Sequence, residues 1–317
     1  MSDRAWLDGR LVDAGLPALL VGDRGFQLGD GLFETLRVRR GVAIEIGLHL
    51  ARLREGLGTL AIPMPRPDDE LVAAIGLVVA ANAPAEAGAP GAAGTPGDAA
   101  APGVAGTPGD AAVRITVSRG APIGRGLLPA GWRNLAPTVL VQAWPHVPVS
   151  PGVLARGVRA VIATGRRDPA HPLASVKTVS RADHVHAKLE AERSGADDAV
   201  TLTIDGHVAE ATTANVALVS GKQVLTPPLA AGILAGTTRD WLLRPEGAAA
   251  LGLTAVEAWI TPDDLVVADE ALLCSSVAGF QALVALDGTP IGGGVPGPWA
   301  ARLRAAREAW IVAASGG

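Results

Sequence analysis

Residues 176–215 read VKTVSRADHVHAKLEAERSGADDAVTLTIDGHVAEATTAN, and three pieces of that run decide the fold. Residues 180–193 are rich in Ala, Leu, Lys and Glu and contain no Gly or Pro, the composition of a helix. Residues 199–204 are apolar and β-branched, which predicts a strand. Asp205-Gly206 is a hairpin turn signal, and 207–211 begins the returning strand. Lys177 stands just ahead of the helix and Glu210 stands on the returning strand.

Toward the N-terminus, 6–12 and 18–21 predict short strands, and 32–38 with 42–46 predict a hairpin across Arg39-Arg40-Gly41. Residues 48–60 follow with helical spacing that puts Leu50, Leu53 and Leu57 on one face. The apolar run 71–81 lies behind Pro67-Asp68-Asp69-Glu70, a helix start, and is too short to span a membrane; it predicts a buried helix. Residues 113–118, 138–143 and 158–164 predict strands. So do 223–225, 265–268, 271–274 and 283–286. A short helix is expected at 237–243, and a closing helix at 299–312 presents Trp299, Leu303, Ala306 and Trp310 on one face. Helices and strands that mix without strict alternation predict an α+β class with two units. The Gly-rich stretch at 119–129 suits the crossing between them. The expected organisation is therefore an N-terminal domain at 1–122, an interdomain loop at 123–135 and a C-terminal domain at 136–317.

Residues 89–100 and 101–112 are a tandem duplication, APGAAGTPGDAA and APGVAGTPGDAA, with four prolines and six glycines between them. That composition excludes a regular helix or strand, so 84–112 is expected to be a low-complexity Ala/Gly/Pro insertion rather than a partner-binding element.

The chain has 317 residues, 49% hydrophobic and 18% charged, enough to bury a large core. A formal charge of −4 gives no electrostatic reason to expect nucleic acid. The single cysteine, Cys274, excludes an internal disulfide and fits a reducing, cytoplasmic location. The first residues carry no apolar signal-peptide core, and no membrane association is expected. Tyrosine is absent, which removes one common active-site donor. His184 and His186 are two apart on a helix and point to different faces, so they are taken as ordinary helix residues and no metal site is expected.

Three segments together resemble the class IV (fold type IV) pyridoxal-phosphate enzymes, among them branched-chain and D-amino-acid aminotransferases and aminodeoxychorismate lyase. They are DRGFQLGDGLFET at 23–35, the run 176–215, and Thr226-Pro227-Pro228 with GILAGTTR at 232–239. They occur in the family's order and span most of the chain. The resemblance implies a smaller N-terminal α/β domain, a larger C-terminal pseudo-barrel α/β domain, bound pyridoxal 5'-phosphate and a homodimer.

The resemblance also implies roles. Such an enzyme needs a lysine for the cofactor aldehyde, a carboxylate at the pyridine nitrogen, a cup for a dianionic phosphate and donors for the substrate carboxylate. Lys177 matches the lysine, and its small or apolar neighbours would lower its pKa. Lys188 and Lys222, the only others, sit amid charges and in a turn. Glu210, flanked by small residues, matches the carboxylate, with Asn215 supporting its strand. Thr237 and Thr238 at a helix start, Ser276, and Arg52 in H-L-A-R-L match the phosphate cup. Thr35 and Arg125 are candidates to orient substrate.

Three details resemble the lyase, which converts 4-amino-4-deoxychorismate to 4-aminobenzoate and pyruvate. They are Thr35 closing the first signature, Lys177-Thr178-Val179-Ser180-Arg181, and Arg125-Gly126, whose arginine would bind a carboxylate. Ser275-Ser276-Val277-Ala278-Gly279 departs from the lyase pattern by an asparagine and an arginine. The insertion at 84–112 also enters the domain that shapes the substrate side. An aminotransferase acting on D-amino or branched-chain amino acids is the alternative expectation.

Overall fold

A computed structural model describes residues 3–83, 109–122, 124 and 126–316. The expectations for most of the 84–112 insertion and for Arg125 lie outside the described residues.

The first unit comprises β1 (Arg4–Leu7), β2 (Arg10–Asp13), α1 (Arg24–Leu28), β3 (Gly31–Arg39), β4 (Val42–Ala43), α2 (Ile46–Thr59), α3 (Asp68–Ala81), β5 (Ala111–Ser118) and β6 (Thr138–Pro145). Its strands form a six-stranded antiparallel sheet in the order β2-β1-β6-β5-β3-β4. The two-residue period of a strand divides the sheet's faces. Leu32, Leu36 and Val38 of β3 and Val113, Ile115 and Val117 of β5 pack against Leu50, Leu53 and Leu57 of α2 and Leu71, Ile75 and Val78 of α3. Each such side chain contributes about 1.5–3 kcal/mol by burial. Phe33, Thr35 and Arg114, on the opposite face, line a cavity.

The second unit comprises α4 (Pro151–Arg156), β7 (Val158–Arg167), α5 (Ala182–Arg193), β8 (Asp198–Thr203), β9 (Val208–Ala211), β10 (Asn215–Ser220), β11 (Gln223–Thr226), α6 (Thr237–Leu243), β12 (Thr254–Glu257), α7 (Pro262–Val267), β13 (Glu270–Ser275), β14 (Gly279–Leu286), β15 (Thr289–Pro290) and α8 (Pro298–Ala314). The sheet runs β12-β11-β10-β13-β14-β7-β8-β9, and β9 pairs again with β10 through Glu210 and Asn215. Six strands thus close into a ring, the expected pseudo-barrel. Val200, Leu202, Val216, Leu218, Leu273 and Leu283 belong to one buried cluster of this unit. The closing helix α8 buries Leu303 in a second cluster with Trp241 and Phe280.

Four details differ from expectation. β6 pairs along its length with β5 and also with β1, because Val139, Val141 and Ala143 complete the first core. The crossing between the sheets therefore follows Pro145 rather than occupying 123–135. The stretch 6–12 is broken into β1 and β2 by a turn at Asp8 and Gly9, both at positive φ (47° and 101°). Residues 18–21 form no strand; Leu19, Leu20 and Val21 are exposed and find no sheet edge. Residues 265–268 fall largely in α7, where a Thr261–Asp264 capping box and Pro262 in the first turn outweigh the β preference of Val266 and Val267.

Candidate active site

Lys177 sits where the two units meet. Its segment lies beside β3 as an extra extended piece. Phe33 N donates to Lys177 O at 3.0 Å, Val179 N donates to Gly31 O at 3.0 Å, and Leu32 bridges Thr178. The close approach needs a left-handed glycine: Gly29 has φ 66°, and a Cβ there would lie 2.9 Å from the Ser180 Cβ. The lysine Nζ stands 4.5 Å from the Phe33 ring centroid and opens on a cavity of about 1000 Å³. Protein surrounds the amine on most sides, although it still borders the cavity. Burial pushes its pKa down to about 8. Glu34 and Glu210 oppose that fall, while Arg52 and Arg181 add to it.

Arg52, on α2, donates Nε to Glu34 Oε1 at 2.7 Å and Nη2 to Glu34 Oε2 at 2.6 Å, and its Nη1 donates to Ala235 O of the second unit. Glu34 Oε2 also meets His49 Nδ1 at 2.7 Å. Burial would raise the carboxyl's pKa, but Arg52 and His49 outweigh it and hold Glu34 at about 2. Glu34 lies inside the quoted first signature, yet it was no candidate; only the alternation along β3 turns it to the helix side.

Glu210 lines the opposite part of the cavity. Arg167 Nη2 lies 2.8 Å from its Oε1, and Leu234 N donates to its Oε2 at 3.0 Å. Each oxygen keeps a lone pair for a further donor. Asn215, directly across the strand pair, donates Nδ2 to Leu234 O at 2.9 Å. Gly236 is required beside it, since a Cβ there would sit 1.9 Å from Asn215 Oδ1. Next in sequence, Thr237 and Thr238 are buried in the first turn of α6, and both Oγ1 atoms have no protein hydrogen-bond partner. Buried hydroxyls normally find one, so this corner is chemically incomplete. Ser276 Oγ donates to Thr35 O at 2.9 Å, which ties the second unit to β3.

The cavity thus brings together Thr35, Arg52, Lys177, Glu210, Asn215, Thr237, Thr238 and Ser276. It also holds residues the sequence reading did not select. Arg114 lies opposite Thr35 across β3 and β5, with its guanidinium 3.7 Å from the Phe33 centroid. Arg181 approaches the same ring to 6.0 Å and donates to Thr212 O at 2.8 Å. Burial lowers the pKa of both arginines, and neither has a carboxylate within ion-pair distance among the described residues. Three cationic side chains, Arg114, Lys177 and Arg181, therefore gather around the Phe33 ring.

The family model described as amino-transferase class IV matches residues 31–286. The aminodeoxychorismate lyase of Vibrio harveyi is 30% identical, over 84% of this chain and 87% of its own length. The D-alanine aminotransferase of Bacillus licheniformis is 26% identical over 96% of each. Among solved structures, the PLP-bound form of a hypothetical aminotransferase from Mycobacterium tuberculosis superimposes with a TM-score of 0.76. It is 28% identical, and the match covers 98% of this chain and 99% of that one.

Proposed function

We propose the reaction from one premise: this chain belongs to the class IV aminotransferase family. Pyridoxal 5'-phosphate is the cofactor, and the residues present fit it. Two buried threonine hydroxyls lack partners, Arg52 stands at the cavity wall, Lys177 offers a lowered-pKa amine, and Glu210 keeps spare lone pairs. We assign Arg52, Thr237, Thr238 and Ser276 to the phosphate, Lys177 to the aldehyde and Glu210 to the pyridine nitrogen, with Asn215 holding the Glu210 strand.

When bound, the cofactor supplies an electron sink joined to the substrate amine. Lys177 Nζ, an amine whose pKa burial lowers to about 8, would remove the proton from the amine-bearing carbon. Glu210 holds a proton at the pyridine nitrogen by accepting its hydrogen bond. Lys177 then returns a proton to the departing group.

The favoured substrate is 4-amino-4-deoxychorismate, cleaved to 4-aminobenzoate and pyruvate. The observation that carries this reading is the pair Arg114 and Arg181, two guanidinium groups without carboxylate partners flanking Phe33 beside Lys177. A substrate with two carboxylates pairs with both, whereas a branched-chain amino acid brings one carboxylate and leaves the other guanidinium facing an apolar side chain. Thr35, opposite Arg114, orients the same substrate. An aminotransferase on D-amino or branched-chain amino acids is the second reading, favoured by the missing arginine in 275–279. A homodimer is proposed because Leu16, Leu19, Leu20, Val21 and Phe26 expose a run of apolar surface near α1. The buried free thiol of Cys274 agrees with a cytoplasmic location.

The test is pyruvate and 4-aminobenzoate release by loaded enzyme with no 2-oxo acid present. Equal amounts of both at repeated turnover support the lyase. A loaded enzyme that stalls until a 2-oxo acid is added, and releases no pyruvate from this substrate, is an aminotransferase.

A further inference from the structure

Arg167 is the strut behind Glu210. Its Nη1 donates to Ala174 O at 2.6 Å and to Gly232 O at 3.0 Å, joining the lysine loop to the loop before α6. Its Nη2 carries two hydrogens. That nitrogen stands 2.8 Å from Glu210 Oε1 as an ion pair and hydrogen-bonds to His184 Nε2 at 3.4 Å. His184, on α5, has its other ring nitrogen 2.7 Å from Asp183 Oδ1. Arginine only donates and a carboxylate only accepts, so these partners select one tautomer. Nε2 carries the lone pair, and Nδ1 carries the hydrogen that it donates to Asp183.

We propose that His184, as the neutral Nδ1–H tautomer, is a positioning residue for Glu210, acting through Arg167 and oriented by Asp183. The inference rests on the cofactor reading of Glu210 but concerns residues that reading does not use. The groups facing the imidazole are Asp183 and Arg181 around the start of its own helix, Arg167 on β7 and Glu210 on β9. Burial and Arg181 lower the imidazole's pKa, which agrees with a neutral ring against a guanidinium. Protonation would place two cations face to face and remove the acceptor of one Nη2 hydrogen. Asp183 itself is 71% exposed at the side chain while His184 is 14% exposed, so the network runs from solvent to the cavity wall. The proposal gives His184 a role beyond that expected of an ordinary helix residue.

The test uses three proteins: wild type, His184→Gln, which keeps an acceptor, and His184→Leu, which does not. Imidazole ¹⁵N spectra of wild type at pH 7.5 are expected to show His184 as Nδ1–H. An Nε2–H or doubly protonated ring overturns the proposal whether or not cofactor is bound. Pyridoxal phosphate affinity is expected to fall about tenfold in His184→Leu and to stay near wild type in His184→Gln, with the thermal midpoints of the two variants alike. Equal affinity in wild type and His184→Leu overturns it. Wild-type affinity should also fall more steeply below the ordinary imidazole value than that of His184→Leu, where only protonation of the Lys177 amine weakens capture; parallel profiles contradict the proposal. Wild type that takes up no cofactor sinks the reading of Glu210 as the pyridine partner instead, and the tautomer result still decides the wiring.

Discussion

Glu34 and Glu210 are both nearly inaccessible carboxylates, and each is held by an arginine at the same junction, yet they do different things. Glu34 accepts from both arms of Arg52 and from His49, and it faces the helices of the first unit. Three of its roughly four acceptor sites are taken by the protein, and its pKa is held at about 2. Glu210 takes one arm of Arg167 and one backbone amide and still borders the cavity. The first pair fixes a scaffold, and the second leaves a functional face open. The lesson is that burial and an ion-pair partner do not mark a catalytic carboxylate; unspent hydrogen-bonding capacity toward the cavity does.

The comparison can be broken by exchanging the outcomes. Glu210→Gln should lose turnover by about 10³-fold, roughly 4 kcal/mol, as steady-state kinetics of the folded, cofactor-loaded variant would show. Glu34→Gln should instead lose stability at neutral pH by at most ~3 kcal/mol, because Arg52 is left beside a neutral partner. Its sign with pH is fixed. The folded pKa of about 2 lies below the ordinary 4.5, so the carboxylate's stabilisation is present above 4.5 and lost as pH falls toward 2. Urea midpoints of wild type and Glu34→Gln should therefore converge on acidification; a constant gap would contradict the assignment. Arg52→Lys keeps the charge but loses the fork, and should weaken cofactor binding about tenfold. The smallest effect is read at Lys177. Glu34→Gln and Glu210→Gln each remove a charge that raises its pKa, so both should move it below about 8, Glu34→Gln by more. The pH dependence of cofactor capture by each variant measures that order.

Much of this was legible in the sequence because the informative segments are local. The helix at 180–193, the hairpin at Asp205-Gly206 and the periodic helices behind the first hairpin carry their own periodicity and turn chemistry. Lys177 and Glu210 stood out through the resemblance, with neighbours that would lower the lysine's pKa and leave room for a ring beside the glutamate. What was hidden is pairing at a distance. β6 joins the first sheet through partners twenty or more residues away, which no local signal reports. Glu34 and Arg114 depend on which face of a strand points to the cavity, and Arg167 and His184 come together only when α5 packs on β7. The helix at Pro262–Val267 was legible in its capping box, but the β-branched valines hid it.

The most direct measurement is borohydride reduction of the loaded protein followed by peptide mapping. The account predicts a phosphopyridoxyl adduct on Lys177, with the yield of trapped adduct following cofactor occupancy. An adduct on Lys188 or Lys222, or none at saturating cofactor, would contradict it.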